Sequence, residues 1–395
     1  MFKKIIHFYI CLIVFCLPLY LIRFKIGWVP FDVLELMIYG LFALGLVQKI
    51  IFGYRPKIDI KDKLLFYSIF LIIFGAIIST LLSSDIQISA GILKGWFVAP
   101  LLFFIILISC LKAKEHIRDI IFALFLSSVG ISLISLFYWL NNNLTYDGRL
   151  QAFFLSPNYL AMYLSPVLIM SFVLYFFLKK NIFKFLLFIA QCLLFFIIYL
   201  TYSYGAWFGL LSALFFVLIL SIKQKKISIK FFLFILLLAI IFVFLQIPTQ
   251  KFQGLADLSY PSLKSRLIIW HSAWEIIKDH SFIGIGPGMF QEYYLAYQPE
   301  FNPYPEWAVP QPHNLFLAFW LQTGLIGLIG FILLLIVFFQ TAKNNFKNPL
   351  ILIISAVMVY TLIHGLADSV YWKNDLAVIF WLVIAVNYKA SRLFC

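Results

Sequence analysis

Long apolar runs separated by short polar connections are the feature that most constrains this chain. Twelve such runs follow one another, most of them near the ~20 residues that a helix needs to cross a hydrocarbon core. A soluble protein has about 25% charged residues with which to cover its surface, whereas only 12% are charged here. The sequence therefore predicts an all-α integral membrane protein with about twelve transmembrane helices.

The first of these runs resembles a signal peptide, with Lys3 and Lys4 before an apolar core, but it lacks a small-residue cleavage site. We therefore expect it to be retained as a span. The five cysteines form no CxxC motif and no Cys/His cluster, which argues against a disulfide framework or a structural zinc site. The predicted spans lie near residues 5–22, 31–52, 64–83, 92–111, 117–140, 157–178, 183–201, 205–222, 230–247, 313–340, 349–369 and 376–388.

The distribution of basic residues predicts the orientation. The two termini and the even-numbered connections contain 21 of the 30 Lys and Arg residues, which gives that side a charge of about +17 and the other side about −3. Basic connections remain in the cytoplasm, so both termini are expected there. The net charge of +14 then reflects topology, and we expect no nucleic-acid partner.

One outer connection, residues 248–312, is long enough to fold. It separates spans 1 to 9, in residues 1–247, from spans 10 to 12, in residues 313–395. Within it, residues 262–279 have apolar side chains at helical spacing, which predicts an amphipathic helix lying along the membrane surface. The predicted apolar stripe consists of Leu263, Leu267, Trp270, Trp274 and Ile277.

Several polar features of this loop have two interpretations. Arg266 lies on the flank of the apolar stripe, where it could reach lipid phosphates or hold a bound phosphate. His271 is on the polar face and is expected to be solvated. Residues 284–288 read GIGPG and favour a structural turn over a phosphate cradle, since the P-loop lysine is missing. The aromatic residues of 293–307 suggest a sugar-stacking lid or an interfacial belt.

Two further residues have the chemistry of a transferase site. His313 is expected in the first turn of the tenth span, where the helix dipole favours a neutral imidazole that could serve as a general base or simply cap the helix. Arg149 precedes the helix that starts at Pro157, in which Asn158 suits a capping role that would not explain Arg149.

Polar and small residues within the spans also have alternatives. Gly324, Gly327 and Gly330 share one groove and predict close helix packing. His364 and Asp368 are one turn apart near the outer end of the eleventh span, where they could form a proton relay, an interhelical hydrogen bond or a partner for an arginine.

In order and spacing, these motifs resemble the O-antigen ligase and polymerase superfamily of bacterial envelope glycosyltransferases. The strongest part is Arg266 with Trp270, the GIGPGMF turn, His313 with Asn314, and the helix LQTGLIGLIGF. Weaker matches at 148–150, 157–161 and 202–207 extend the resemblance over about 148–340.

The resemblance implies transfer of a glycan from undecaprenyl diphosphate to an acceptor hydroxyl at the outer face of the bacterial inner membrane, without a metal or other cofactor. By matching position, His313 would activate the acceptor, and Arg149 and Arg266 would hold the diphosphate. Tyr204 and Asn314 are further expected substrate-binding residues. The family typically has an arginine where this chain has Tyr204, whose hydroxyl donates a hydrogen bond but no charge.

Three functions fit these residues. The leading one is an O-antigen ligase that joins polymerised glycan to lipid A core, and the second is a polymerase with overlapping motifs. A membrane anion transporter is the third, since twelve spans suit that architecture. Against a transporter, the spans contain few charges and no two-fold hydropathy repeat, and the polar chemistry lies on one face.

Overall fold

Helices form most of the protein in a computed structural model, which describes residues 2–27, 29–52, 62–230, 233–237, 261–298 and 308–393. A π-helical turn, Lys94–Val98, joins α4 to α5, and 3₁₀ turns follow α1 and α7 at Leu17–Leu21 and Phe172–Phe176. The helices are α1 (Phe2–Phe15), α2 (Val33–Phe52), α3 (Lys63–Leu81), α4 (Ile86–Leu93), α5 (Ala99–Cys110), α6 (Lys114–Leu140), α7 (Pro157–Ser171), α8 (Asn181–Leu200), α9 (Tyr204–Lys223), α10 (Pro261–Asp279), α11 (Phe290–Tyr297), α12 (Leu315–Lys343), α13 (Pro349–Gly365) and α14 (Asn374–Leu393).

The described helices agree with the predicted spans. Eight spans, with α4 and α5 counted as one, are long and apolar enough to cross a membrane, and Lys4–Phe15, Val33–Gln48 and Pro349–Gly365 are shorter apolar helices. Together they account for every predicted span except 230–247, most of which lies outside the described residues. The all-α membrane class is therefore supported, while the count of twelve stays a prediction.

A two-stranded hairpin departs from the all-α prediction. Strands β1 (Arg23–Ile26) and β2 (Val29–Asp32) pair antiparallel, with Arg23 opposite Asp32. Gly27 begins the turn at a φ of 62°, a conformation that glycine adopts without steric cost. The hairpin carries the chain from the end of the first span to the start of α2.

Connections predicted to share a membrane face meet in the structure. Two inner connections touch where Lys226 donates to the backbone oxygen of Lys347 at 3.0 Å. At the other end, Asn158 at the start of α7 contacts Asp368 from the connection between α13 and α14. The clustering of alternate connections at opposite ends is what the distribution of basic residues predicts.

α14 lies at the centre of the bundle, and 83% of its apolar 18-residue segment is buried against other helices. The sequence predicts only a short span at 376–388, whereas α14 continues to Leu393 and includes the polar residues Asn387 and Ser391. Burial inside the protein allows polar side chains within this span, because Asn387 donates to the backbone oxygen of Phe338 at 3.0 Å instead of facing lipid.

Among the described helices, α3 and α12 share the most extensive contact, and glycines allow their close approach. A Cβ atom on Gly75 would lie 2.5 Å from the Thr323 backbone oxygen, and one on Gly330 would lie 2.7 Å from the Ile72 nitrogen. No side chain fits at these distances, so the packing prediction for Gly327 and Gly330 is confirmed.

Gly324 has a different role from its two neighbours because α12 is broken there, at a φ of 67° and a ψ of −178°. The segment after α10 fills the break. Leu325 donates its backbone N–H to the Phe282 oxygen at 3.1 Å, and Ile285 donates to the Leu321 oxygen at 2.6 Å. Backbone groups released by the break are thus paired within the protein, as a helix at membrane depth requires.

The predicted amphipathic helix is present as α10, but its buried face differs from the prediction. Ile269, Ala273 and Ile276 are fully buried, whereas Leu267 and Trp274 are 46% exposed, so the predicted stripe is wrong at those two positions. α10 packs against α11 and α12, and this packing selects the face that carries Ile269 and Ala273, while its position along the membrane surface stays a prediction.

Candidate active site

Asp368 is the centre of a polar cluster at the predicted outer end of the bundle. One carboxylate oxygen lies 3.0 Å from His313 Nδ1 and accepts the Ser369 backbone N–H at 2.8 Å. The other accepts the Asn158 amide at 2.8 Å and lies 3.7 Å from the Arg266 guanidinium. Residues from four separate parts of the chain therefore converge on one buried carboxylate.

Cations surround this carboxylate closely enough to keep it charged. The Asp368 side chain is only 4% exposed, and burial alone would raise the pKa of its carboxyl. The charge of His313, its hydrogen bond and the charge of Arg266 outweigh that effect and hold the pKa well below its usual range. Asp368 is thus an ionised hydrogen-bond acceptor at neutral pH.

His313 lies before the helix rather than in its first turn, so that prediction is wrong. α12 begins at Leu315, and Asn314 is its N-cap. His313 itself has a φ of 47°, a left-handed conformation that is uncommon outside glycine. Its backbone oxygen accepts the Trp270 indole N–H at 3.3 Å. The side chain is thereby directed at Asp368 and not along the helix axis.

The pairing with Asp368 defines the tautomer of His313. A carboxylate can only accept, so the hydrogen bond requires the proton on Nδ1, and in the neutral form of His313 the lone pair is then on Nε2. The His313 side chain is 26% exposed. A partly accessible imidazole with a bare nitrogen, oriented by a buried carboxylate, is the arrangement of a general base.

Asn314 has a structural role that the sequence did not indicate. Its side-chain oxygen accepts the backbone N–H groups of Phe316 and Leu317, and its nitrogen donates to the Leu366 oxygen at 3.1 Å. These bonds cap α12 and tie it to the connection that carries Asp368. A substrate contact for Asn314 stays a prediction.

Arg149 joins the same network through Asn158. Its NH2 group donates to the Asn158 side-chain oxygen at 2.6 Å, and its Nε donates to the Thr201 backbone oxygen at 2.8 Å. The predicted capping role of Asn158 is wrong, because Ser156 is the N-cap of α7 and accepts the Asn158 backbone N–H. The Asn158 amide instead links Arg149 to Asp368.

Tyr204 is the first residue of α9, three residues after the Thr201 carbonyl that Arg149 contacts. Its ring packs edge-on against Trp207, with centroids 5.1 Å apart. A substrate contact for this phenol stays a prediction, as it does for Arg149 and Arg266.

His364 belongs to a separate pair behind the cluster. Its Nδ1 lies 2.7 Å from the Tyr360 hydroxyl, and its ring packs so closely on α9 that a Cβ on Gly205 would lie 2.8 Å away. Asp368 lies beyond the end of α13 and is bonded to His313 and Asn158. Of the alternatives for Asp368, the structure supports two, a hydrogen bond to another helix, from Asn158 of α7, and an arginine partner, Arg266.

The turn at 284–288 is structural. Gly284 has a φ of 76°, and its backbone lies so close to Leu321 and Gly324 that no Cβ would fit. Ile285 and Gly288 donate their N–H groups to the Leu321 oxygen and to the Gln322 side chain. Amides used in this way are not directed at a phosphate, so the structural interpretation is the one the geometry supports.

Two further features considered from the sequence are the suggested sugar-stacking lid and a metal site. Residues 299–307 of the suggested sugar-stacking lid lie outside the described residues. Within the described ranges, no group of three or more His, Cys, Asp or Glu side chains is placed to hold a metal ion.

Sequence reasoning found His313, Arg266 and Arg149 but missed Asn158 as a link. Asp368 carried one usable signal, since an ionisable residue at the end of an apolar span needs a partner and usually marks a site. Asn158 carried none, because an asparagine one residue after a helix-starting proline is also what a cap looks like.

Comparison with known families supports the resemblance that the motifs suggest. The family model described as O-antigen ligase matches residues 189–332, which include Arg266, His313 and the part of α12 that contains its break at Gly324. A comparison with curated proteins found no match. This match, over part of the chain, supports the resemblance of the chain to the O-antigen ligase superfamily.

Proposed function

We propose that this protein is an O-antigen ligase-type glycosyltransferase, which moves a glycan from undecaprenyl diphosphate to an acceptor hydroxyl, that of lipid A core, at the periplasmic face of the inner membrane. The observation that carries the proposal is the convergence of His313, Arg266 and, through Asn158, Arg149 on the buried Asp368. The match to the O-antigen ligase family model supports a lipid-linked glycan as the substrate class.

His313 acts as the general base. Its Nε2 takes the proton of the acceptor hydroxyl as the acceptor oxygen forms a bond with the anomeric carbon of the glycan. The imidazolium that results is stabilised by the Asp368 carboxylate 3.0 Å from Nδ1. After transfer, Nε2 returns the proton to the solvent or to the departing diphosphate.

The arginines stabilise the leaving group. As the bond between the anomeric carbon and the phosphate oxygen breaks, negative charge grows on the diphosphate, and guanidinium groups suit phosphate geometry. A guanidinium carries five N–H donors, so Arg266 can face Asp368 and a phosphate at the same time. Asp368 thus holds the base and one phosphate-binding cation in a common frame.

We propose that these cations do the electrostatic work without a metal ion. Purified protein should then transfer glycan at an unchanged rate after dialysis against EDTA. A loss of activity that Mg²⁺ or Mn²⁺ restores would contradict this part of the proposal.

Deleting the gene and separating the lipopolysaccharide on a gel tests the function. A ligase deletion should leave bare core, with polymerised glycan accumulating on the carrier. Core bearing a single repeat would instead indicate the polymerase. Unchanged glycan in both fractions would overturn both functions.

Residue substitutions in the complementing gene test the site. His313→Ala and Arg266→Ala should each abolish transfer while the protein is still expressed in the membrane. His271→Ala is the matched control, since His271 lies on the exposed face of α10, and it should restore wild-type lipopolysaccharide. Full activity of either site variant would refute the assignment.

A further inference from the structure

Two apolar grooves flank the first turns of α6, at the end of the bundle opposite to the candidate active site. One groove lies between α1 and α6 and encloses about 620 Å³. The other lies between α6, the 3₁₀ turn that follows α7, and α8, and it encloses about 680 Å³. Phe122 and Leu126 line both grooves and form the ridge between them. The volumes fall within the roughly 300–1,000 Å³ that is usual for ligand sites.

The two grooves share a polar mouth centred on Asp119. His7 from α1 lies 3.0 Å from one carboxylate oxygen of Asp119, and Arg118 lies 2.7 Å from the other. The His116 ring packs on the His7 ring, with centroids 4.4 Å apart. Lys4 lines the first groove at the same end.

Cations outnumber the carboxylates at this mouth. The Arg118 side chain is 42% exposed, so it stays accessible to a headgroup although it is paired with Asp119. Lys180 is exposed at the N-cap of α8, one turn before Phe183, which lines the second groove. With Lys4, these residues place three cations near two acids, Asp119 and the exposed Glu115 one helical turn before it, at an end that the basic connections predict to be cytoplasmic.

We propose that an anionic diacyl phospholipid binds astride α6, with one acyl chain in each groove and its headgroup on Lys4, Arg118 and Lys180. Two parallel apolar grooves that meet at one basic mouth match the shape and charge of such a lipid. The grooves are lined by aromatic side chains on the outer surface of apolar helices, including Phe8, Phe15 and Phe183, which are 67%, 46% and 50% exposed. Basic pockets between helices on the cytoplasmic side are suited to acidic headgroups. This site is independent of the proposed transferase chemistry.

Native mass spectrometry of the detergent-purified full chain tests the proposal. Titration with phosphatidylglycerol should give one tightly retained lipid per chain, whereas phosphatidylcholine should be released at lower collision energy. The double variant Arg118→Gln, Lys180→Gln should bind phosphatidylglycerol at least about tenfold more weakly, because each basic residue near a headgroup contributes to binding. Lys343→Gln, which removes an exposed lysine elsewhere on the same predicted face, should bind as the wild type does.

A second pair of variants tests the grooves. Ala190→Trp fills the second groove, which Ala190 lines, and should lower retention of the lipid. Its neighbour Ile189 is 49% exposed and does not line the groove, so Ile189→Trp should leave retention unchanged. Equal retention of the two lipids, or full retention of phosphatidylglycerol by the double variant, would overturn the proposal. If Ala190→Trp fails to fold, the charge variants alone decide.

Discussion

At the scale of single residues, the site depends on the hydrogen bonds and charges that stabilise the buried carboxylate of Asp368. An isolated buried carboxylate costs several kcal/mol, so it persists only where partners surround it. Here the partners are His313, Arg266, Asn158 and the Ser369 backbone N–H. Each partner is therefore also positioned by Asp368, which makes this residue more than a counter-ion.

Replacing Asp368 tests that role. In Asp368→Asn the side-chain NH₂ can donate to Nδ1, which would move the imidazole proton to Nε2 and block the base. We expect the transfer rate to fall by at least about 10²-fold, the usual contribution of general-base catalysis. The rate of glycan transfer by purified protein in detergent measures it.

The matched control is Asp147→Asn. Asp147 lies 3.9 Å from Arg149 on a more exposed part of the outer loop, with 31% of its side chain accessible, and a pair of this kind contributes little. This variant should retain most of its activity. Wild-type rates in Asp368→Asn would contradict the assigned role.

The lowered pKa of Asp368 predicts an effect of pH on stability. Its folded pKa lies below the unfolded value of about 3.9, so its stabilising contribution is complete above that value and is lost as the pH falls towards the folded pKa. Wild type should unfold at a higher temperature than Asp368→Asn between about pH 5 and 7, and the gap should narrow below about pH 4. Thermal unfolding in detergent measures it, and a gap that widens in acid would contradict the assignment.

At the scale of elements, α12 positions the site through its two unusual features. Its N-cap, Asn314, directs His313 at Asp368, and its break at Gly324 receives the segment that follows α10. α10 carries Arg266, and the segment that follows α10 fills the break in α12. The break therefore holds this guanidinium at a defined position relative to α12. The tight contact with α3 then holds α12 in place.

Gly330→Ala tests the contact between α3 and α12. The added Cβ would lie 2.7 Å from the Ile72 nitrogen, so the helices must separate, and overpacking of this kind costs about 1–3 kcal/mol. We expect a lower unfolding temperature in detergent. Gly130→Ala on α6 is the control, since no atom lies within 4 Å of its Cβ, and it should be neutral or stabilise by about 0.5–1 kcal/mol. Equal effects of the two variants would refute the packing argument.

At the scale of the whole molecule, the bundle separates two kinds of chemistry. The cluster around Asp368 lies among the connections with few basic residues, whereas Lys4, Arg118 and Lys180 lie among the basic ones. A periplasmic site and a cytoplasmic lipid site follow if the basic end faces the cytoplasm.

Cysteine labelling tests this orientation. With the five native cysteines replaced by alanine, Tyr146→Cys in the outer loop should react with a membrane-impermeant maleimide in intact spheroplasts. Lys180→Cys should react only after the membrane is opened. Both positions are exposed in the folded protein, so accessibility alone does not distinguish them. The reverse labelling pattern would place the candidate site in the cytoplasm.

Much of the fold follows from local properties of the sequence. Apolar length predicts the spans, basic residues predict their orientation, and helical periodicity predicts α10, because each depends on residues near one another in the chain. Arg266, Arg149 and His313 also stand out locally, as polar groups at the boundaries of apolar runs. Gly327 and Gly330 predict close helix packing because their spacing along one helix is also a local property.

Only the tertiary structure decides what those residues meet. The bonds of Asp368 to Asn158 and His313 join positions 210 and 55 residues apart, and no local pattern records such a pairing. The buried face of α10 and the filled break of α12 also depend on which distant segment packs there. The sequence by itself determined a membrane bundle with isolated cations on one face, while long-range packing brought them to one carboxylate, because a buried charge is stable only where the fold supplies its partners.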